Sequence, residues 1–314
     1  MAYIASYVKL GESGELARRA AEASEILREC TLCPRRCGVD RTAGERGVCG
    51  AGAAAEVSSF NDHHGEEPPI SGSGGSGAIF LTHCNLRCIF CQNYPISHFG
   101  NGNPAPPEKM AAMMLSLQKR GCHNINFVTP THFMPQILQA LDIAAGRGLS
   151  IPIVYNCGGY ESLHAVKLLE GIVDIFMPDM KYGTGPGGPR YSGCRDYQEH
   201  NRAAVKEMFR QVGSLQLDDG GIAYHGLIIR HLVLPERLAD SRQVLEFIAR
   251  ELSPDVSLSI MEQYFPAHRA AGDPHIGRRI TPEEYQEVLD IVEELEFSSG
   301  WLQGDPFFME QDML

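Results

Sequence analysis

The sequence predicts an α/β protein: an open, partial (β/α)6 barrel with an N-terminal cysteine-rich segment and a C-terminal helix. Six short apolar runs have strand length: AIFL (78–81), NINFV (124–128), IPIVY (151–155), VDIFM (173–177), LIIRHLVL (227–234) and VSLSIM (256–261). Helical patterns separate them, at roughly 107–120, 134–146, 160–170, 197–211 and 240–251. Runs that are apolar at nearly every position suit strands buried on both faces of a parallel sheet, and the alternation supplies the covering helices. With 314 residues, 43% of them hydrophobic, the chain can build one large α/β domain with additions.

Taken in order, residues 12–29 read as a helix, because Leu16, Ala20, Ala23 and Leu27 recur at helical spacing. Residues 50–77 are rich in Gly, Ala and Ser, end in SGSGGSG, and read as an ordered loop. That loop suggests a division into an N-terminal segment (1–75), a core (76–270) and a C-terminal helix with tail (271–314). Residues 215–226 read as an inserted hairpin turning at Asp219-Gly220-Gly221. The last helix, 281–296, starts with Thr281 as N-cap, Pro282 at the first position and Glu284 three after the cap. The tail SSGWLQGDPFFMEQDML is apolar enough to pack on something.

The charge balance is 27 basic against 39 acidic residues, a net of −12, which argues against binding nucleic acid or an anionic membrane through the overall field. The N-terminus lacks a basic stretch followed by a long apolar run, and no segment reaches the roughly 20 apolar residues of a membrane helix. A soluble, cytoplasmic protein is expected.

Seven of the ten cysteines fall in two tight groups, Cys30, Cys33, Cys37 and Cys49, then Cys84, Cys88 and Cys91. Cys122, Cys157 and Cys194 are scattered and read as core thiols. Clustered cysteines in a reducing compartment bind metal more often than they pair. THCNLRCIFCQN (82–93) follows the first strand with the spacing Cys-x3-Cys-x2-Cys. Three thiolates within eight residues can hold one face of an iron–sulfur cubane and leave the fourth iron open. In parallel α/β sheets chemistry gathers at the C-terminal strand ends. Polar residues recur there: His83 and Cys84, Thr129 and Thr131, Asn156, Asp179 and Lys181, Arg230 and His231, Glu262 and Gln263.

CNLRCIFC after the first strand of such a domain resembles the radical S-adenosylmethionine (SAM) superfamily, with its partial TIM-like barrel. The segments CTLCPRRCGVDRTAGERGVCG (30–50), CNLRCIFCQNYPIS (84–97), VTPTH (128–132), YNCGGYES (155–162), MPDMKYG (177–183) and IRHLVLPE (229–236) together resemble the branch of pyruvate formate-lyase activating enzyme homologues. The resemblance implies an oxidoreductase that cleaves SAM reductively at a [4Fe–4S] cluster held by Cys84, Cys88 and Cys91. The resulting 5′-deoxyadenosyl radical abstracts hydrogen from a substrate, a glycyl-radical enzyme being the leading specific one. It implies cofactor contacts at Phe90, Asn93, Thr129, Pro130, Asn156, Asp179, Lys181, Arg230 and Gln263, with Arg230 matched to a carboxylate. It also implies a low-potential electron donor of flavodoxin or ferredoxin type. Dedicated activases carry Asp-Gly-Pro-Gly-x-Arg before the first strand and His-Asn-Pro after the cluster motif; here stand SGSGGSGAIF and Gln92-Asn93-Tyr94-Pro95. A glycyl-radical enzyme is therefore one substrate among others. The competing reading is an iron–sulfur electron-transfer or cluster-carrier protein without radical catalysis, and a third is a zinc-binding interaction module.

Cys30-x2-Cys33-x3-Cys37-x11-Cys49 supplies four thiolates, enough to close a site. Zinc, a second iron–sulfur cluster and free thiols all remain open. His63 and His64, just before Glu66 and Glu67, read as a solvated loop, with a substrate-side role as the other reading.

Overall fold

The computed structural model describes residues 3–302. Among these are ten strands: β1 (Glu56–His63), β2 (Ser76–Leu81), β3 (Asn103–Pro104), β4 (Ile125–Val128), β5 (Ile153–Cys157), β6 (Ile175–Pro178), β7 (Gln216–Leu217), β8 (Ala223–Leu232), β9 (Ser257–Met261) and β10 (Gly300–Leu302). They lie in the order β10-β9-β8-β6-β5-β4-β2-β1-β3, with β7 beside β8. Neighbours from β2 to β10 along this order are all parallel. β1 is antiparallel to β2 and β3, and β7 to β8. The six strands expected from sequence are β2, β4, β5, β6, β8 and β9, adjacent in chain order. β10 and β3 end the order without pairing to each other, so the sheet is open, as a partial barrel requires.

Side chains alternate across each strand, and the alternation sorts the core into two faces. Ile153 and Tyr155 of β5, Phe176 of β6 and Leu227 and Ile229 of β8 join the helices' Leu138, Leu141, Val166 and Ile248 in the main core. The positions between them, Val154, Ile175, Met177 and Ile228, form a second cluster with Ile70 and Trp301 on the other face. A fully buried side chain of this size stabilises the fold by about 1.5–3 kcal/mol, so this two-faced burial holds the strands in register.

The helices between strands span Pro107–Lys119, Met134–Ala145, Leu163–Leu168, Tyr197–Val212 and Ser241–Glu251. The third is shorter than the 160–170 pattern because Glu161 is drawn under the strand ends, where its carboxylate accepts from Thr131 Oγ1 (2.6 Å) and Tyr155 OH (3.2 Å). The 12–29 helix is an α-helix at Glu15–Glu25 tightening to a 3-10 turn at Ile26–Glu29, preceded by a helix at Tyr7–Glu12 that the sequence reading did not include. The last helix, Pro282–Glu294, carries the expected capping box: Glu284 N donates to Thr281 Oγ1 (3.2 Å) and Thr281 N to Glu284 Oε2 (2.8 Å). The inserted hairpin is present, with Gly221 N donating to Asp218 O across its turn.

Residues 50–77 are not one loop. They contain β1 and a short helix at Pro68–Ser71. EVSSFNDH has no apolar run because β1 lies near the sheet edge, with Val57 its one buried residue. Its strand state rests on backbone pairing with β2. The glycines that follow permit close approach: a Cβ on Gly77 would stand 2.5 Å from the Asn124 carbonyl to which Gly77 N donates. The tail contributes β10 against β9; residues 303–314 lie outside the described residues. No helix among the described residues is long and apolar enough to cross a membrane.

Candidate functional site

The inward phase of the strands sets the site. Val154, Met177 and Ile228 form an apolar floor. Two residues further on the same face come Asn156, Asp179 and Arg230. The three meet. Arg230 Nε donates to Asp179 Oδ1 (3.0 Å) and Arg230 Nη2 to Asn156 Oδ1 (2.7 Å), while Lys181 Nζ donates to Asp179 Oδ2 (2.6 Å). Burial disfavours charge on Asp179, but the Arg230 and Lys181 cations outweigh it and hold its carboxyl below the ordinary range.

Glu66 completes this group. Its side chain is 9% exposed, its Oε2 stands 3.6 Å from Arg230 Nη1, and its Oε1 accepts from Asn126 Nδ2 (3.1 Å) and Asn156 Nδ2 (3.4 Å). Burial pushes the Glu66 carboxyl up to about 7 against the opposing pull of Arg230. The site thus holds two fixed cations, one fixed anion and one carboxyl poised to change charge near neutral pH.

The Cys84–Cys91 loop leaves β2 through His83 in left-handed backbone (φ 66°) and holds a second such residue, Arg87 (φ 64°), between its first two cysteines. Thr129, at the end of β4, is a third (φ 61°). Non-glycine residues held at positive φ concentrate where function constrains the backbone. Cys88 Sγ shares a 2.8 Å hydrogen bond with Ser192 Oγ, and Cys91 Sγ one of 3.1 Å with Ser97 Oγ. Gln92 Nε2 donates to Gln263 O (2.9 Å), tying the loop to the end of β9. Burial pushes the Cys84 thiol up to about 12 and Cys88 to about 11.

A cavity of about 460 Å³ joins these parts. All three cysteines of the loop border it, as do Phe90, Asn93, Thr129, Asn156, Asp179, Lys181, Arg230 and Gln263. Phe90 presents its ring edge-on to Tyr264 at 5.7 Å. Pro130 is buried behind Thr129 and outside the lining. Thr131 bonds Glu161, and His231 is buried between Met180 O (2.6 Å) and Ser241 Oγ (2.9 Å), so both serve the scaffold. His83 faces Glu56 at 3.4 Å. His63 and Glu66 border the cavity, which corrects the solvated-loop reading of that segment; His64 is exposed. Sequence reasoning missed Glu66 because its partners, Asn126, Asn156 and Arg230, lie on three other strands.

Residues 78–185 match the model of the radical SAM superfamily. An uncharacterized protein of Methanocaldococcus jannaschii is 31% identical over 284 residues, covering 86% of this chain and 76% of that protein. The chain belongs to the radical SAM superfamily. Membership implies an enzyme that works with a [4Fe–4S] cluster and SAM. The residues fit both groups: three thiols and a cation–carboxylate set border one cavity that has room for more than a metal ion. A solved structure of native anSMEcpe with bound AdoMet and Cp18Cys peptide overlays with a TM-score of 0.47 at 11% identity, over 69% of this radical SAM chain. The chain spans 60% of the length of that protein.

The other cysteine group also converges. Cys30, Cys33, Cys37 and Cys49 border a second, small cavity together with Arg35, Arg41 and His132.

Proposed function

We propose that this protein generates a substrate radical by reductive cleavage of SAM. In that chemistry a [4Fe–4S] cluster supplies one electron to SAM, and the 5′-deoxyadenosyl radical so formed removes a hydrogen atom from the substrate. The observation that carries the reading is the single cavity shared by Cys84, Cys88 and Cys91 with Asn156, Asp179, Lys181 and Arg230. Cys84, Cys88 and Cys91 would hold the cluster. Asp179 and Asn156 hold the guanidinium of Arg230 through Nε and one N–H of Nη2, and Glu66 Oε2 lies 3.6 Å from Nη1; the remaining Nη hydrogens are what this cavity-lining cation offers to a carboxylate. Asp179 and Lys181 offer an acceptor and a donor to the polar parts of the cofactor. Phe90 and Leu232 give it an apolar wall and keep water from the reacting atoms.

The substrate we favour is a protein segment, as for an activating enzyme. Beside the cluster loop stands an aromatic group: Tyr94 stacks on His268 (4.9 Å), Phe99 meets Tyr94 edge-on (5.6 Å), and His98 lies against His268 (4.6 Å). Phe99 is 63% exposed. Exposed aromatic side chains next to a site suit a polypeptide partner. A carrier without catalysis has no use for the ordered Arg230 set.

The test is anaerobic. Reconstituted, dithionite-reduced protein is given SAM, and 5′-deoxyadenosine is measured against a cluster-free control. Production above the control supports the reading. If a full, reducible cluster yields neither deoxyadenosine nor any SAM-dependent change in its EPR signal, the reading is wrong.

A further inference from the structure

We infer that Ser192, backed by Tyr182, raises the reduction potential of the core cluster by donating a hydrogen bond to the Cys88 thiolate. The inference rests on the radical reading above and adds a tuning residue 104 positions away from its cysteine in the chain.

Counting hydrogens gives the direction of the bond. Cys88 Sγ and Ser192 Oγ are 2.8 Å apart, and Ser192 Oγ and Tyr182 OH 2.7 Å. In the free thiol either atom of each pair can donate. A thiolate bound to iron has no hydrogen left and only accepts. The single hydroxyl hydrogen of Ser192 then goes to Cys88 Sγ, and the Tyr182 hydroxyl donates to Ser192 Oγ. Ser192 is 1% exposed and Tyr182 2%, so both hydroxyls are out of reach of bulk water. A buried hydroxyl left without a partner is costly, which holds this arrangement in place. Hydrogen bonds in a chain also polarise one another, so Tyr182 strengthens the donor that Ser192 presents.

The Ser192 hydroxyl is positioned from both sides. Ser192 ends the short helix Gly187–Ser192, and Gly193 turns the chain away in left-handed backbone (φ 61°). Ile89 N donates to Tyr191 O (2.8 Å), joining that helix end to the cluster loop. Arg35 donates to Ser192 O (3.0 Å) and, from the same guanidinium, to Asn85 O (3.0 Å) and Leu86 O (3.2 Å), which lie between Cys84 and Cys88. On the far side the Tyr182 ring meets Tyr197 edge-on at 5.3 Å. A donor held in this way needs no reorganisation when charge arrives.

An electron added to the cluster increases the negative charge on its thiolates. A fixed donor stabilises the reduced state more than the oxidised one, and hydrogen bonds to the sulfurs raise the potential for that reason. The other two cysteines are served differently. Cys91 Sγ has Ser97 Oγ at 3.1 Å, and Cys84 Sγ accepts from the backbone N–H of Leu86 at 3.4 Å. The Cys88 bond is the shortest of the three, and among the described residues it alone has a second hydroxyl behind it.

The test is a reduction potential. The full chain is reconstituted anaerobically with iron and sulfide and titrated with dithionite in the presence of redox mediators. The EPR signal that changes on adding SAM reports the core cluster. Ser192→Ala should lower its midpoint by about 59 mV, a tenfold weaker tendency to take the electron. Tyr182→Phe keeps the ring and the Ser192 donor but removes the polarising bond, and should lower the midpoint by less. Cys194→Ala removes a buried neighbour that bonds Ser192 O rather than a cluster sulfur, and should leave the midpoint where it is. An unchanged midpoint in Ser192→Ala, or an equal fall in Cys194→Ala, overturns the inference. If Ser192→Ala does not fold, Tyr182→Phe decides, and an unchanged or higher midpoint there overturns it. A wild-type chain whose filled cluster gives no SAM-responsive signal overturns the radical reading itself, and the inference with it.

Discussion

Asp179, the residue after β6, sits opposite Arg230 of β8, bridged to it through a parallel backbone pairing and joined by a 3.0 Å bond from Arg230 Nε to Asp179 Oδ1. The pair continues the inward face that Ile228 and Met177 begin. Asp179 orients the guanidinium and Asn156 receives one of its Nη groups, so the cation is set in place before any ligand arrives.

Arg230→Ala should therefore keep the core cluster and weaken SAM. Loss of a hydrogen bond to a charged group costs about 1.5–3 kcal/mol, so the dissociation constant should rise roughly ten- to hundredfold. Equilibrium dialysis against labelled SAM reads this directly. An unchanged affinity removes Arg230 from the cofactor site.

Cys88→Ala should abolish iron binding at the core loop while the fold survives, because Cys88 makes one side-chain bond to Ser192 and otherwise borders the cavity. Circular dichroism checks the fold, and a SAM-responsive EPR signal checks the cluster. A full signal in the variant would show that the cluster sits elsewhere.

Metal loading should be steeply pH-dependent. Burial raises the Cys84 and Cys88 thiols to about 12 and 11, so ligation must displace protons, and iron affinity should climb as pH rises. Titrating the protein with ferrous iron and sulfide at several pH values, with proton release followed alongside, measures the effect. Loading without proton release would mean that the thiols are already ionised.

Glu66 predicts a stability slope. Its carboxyl stands at about 7 in the folded protein against 4.5 for the free group. Between those values the folded state holds more protons than the unfolded state, so this group's contribution falls as pH rises through the window. Glu66→Gln should flatten the loss of stability of the cluster-free protein between roughly pH 5 and 8, by up to about 3 kcal/mol. Denaturant midpoints across that range test it; parallel curves for variant and wild type would show that Glu66 does not titrate there.

Gly77→Ala should destabilise the sheet without touching the site chemistry. The new Cβ would meet the Asn124 carbonyl at 2.5 Å, where β2 and β4 pair. Overpacking of this kind costs about 1–3 kcal/mol. An unchanged thermal midpoint would mean that the backbone there yields freely.

Much of this protein was legible in its sequence. Strands such as IPIVY and VDIFM are local apolar runs, and helices announce themselves by period and by caps such as Thr281 with Glu284. The Cys-x3-Cys-x2-Cys loop is equally local, since three ligands within eight residues need no distant partner. Strand phase also carried Asn156, Asp179 and Arg230 to one face, because alternation is a property of the chain itself. Only the tertiary structure decided the rest. β1 is a strand because β2 offers it a backbone ladder, which EVSSFNDH alone does not reveal. Glu66 becomes a site residue, with its carboxyl raised, through burial among Asn126, Asn156 and Arg230. Arg41 and His132 converge on the N-terminal cysteines from segments 91 residues apart. Period and spacing act along the chain and can be read there; charge compensation and desolvation act through space, and exist only once the chain has folded.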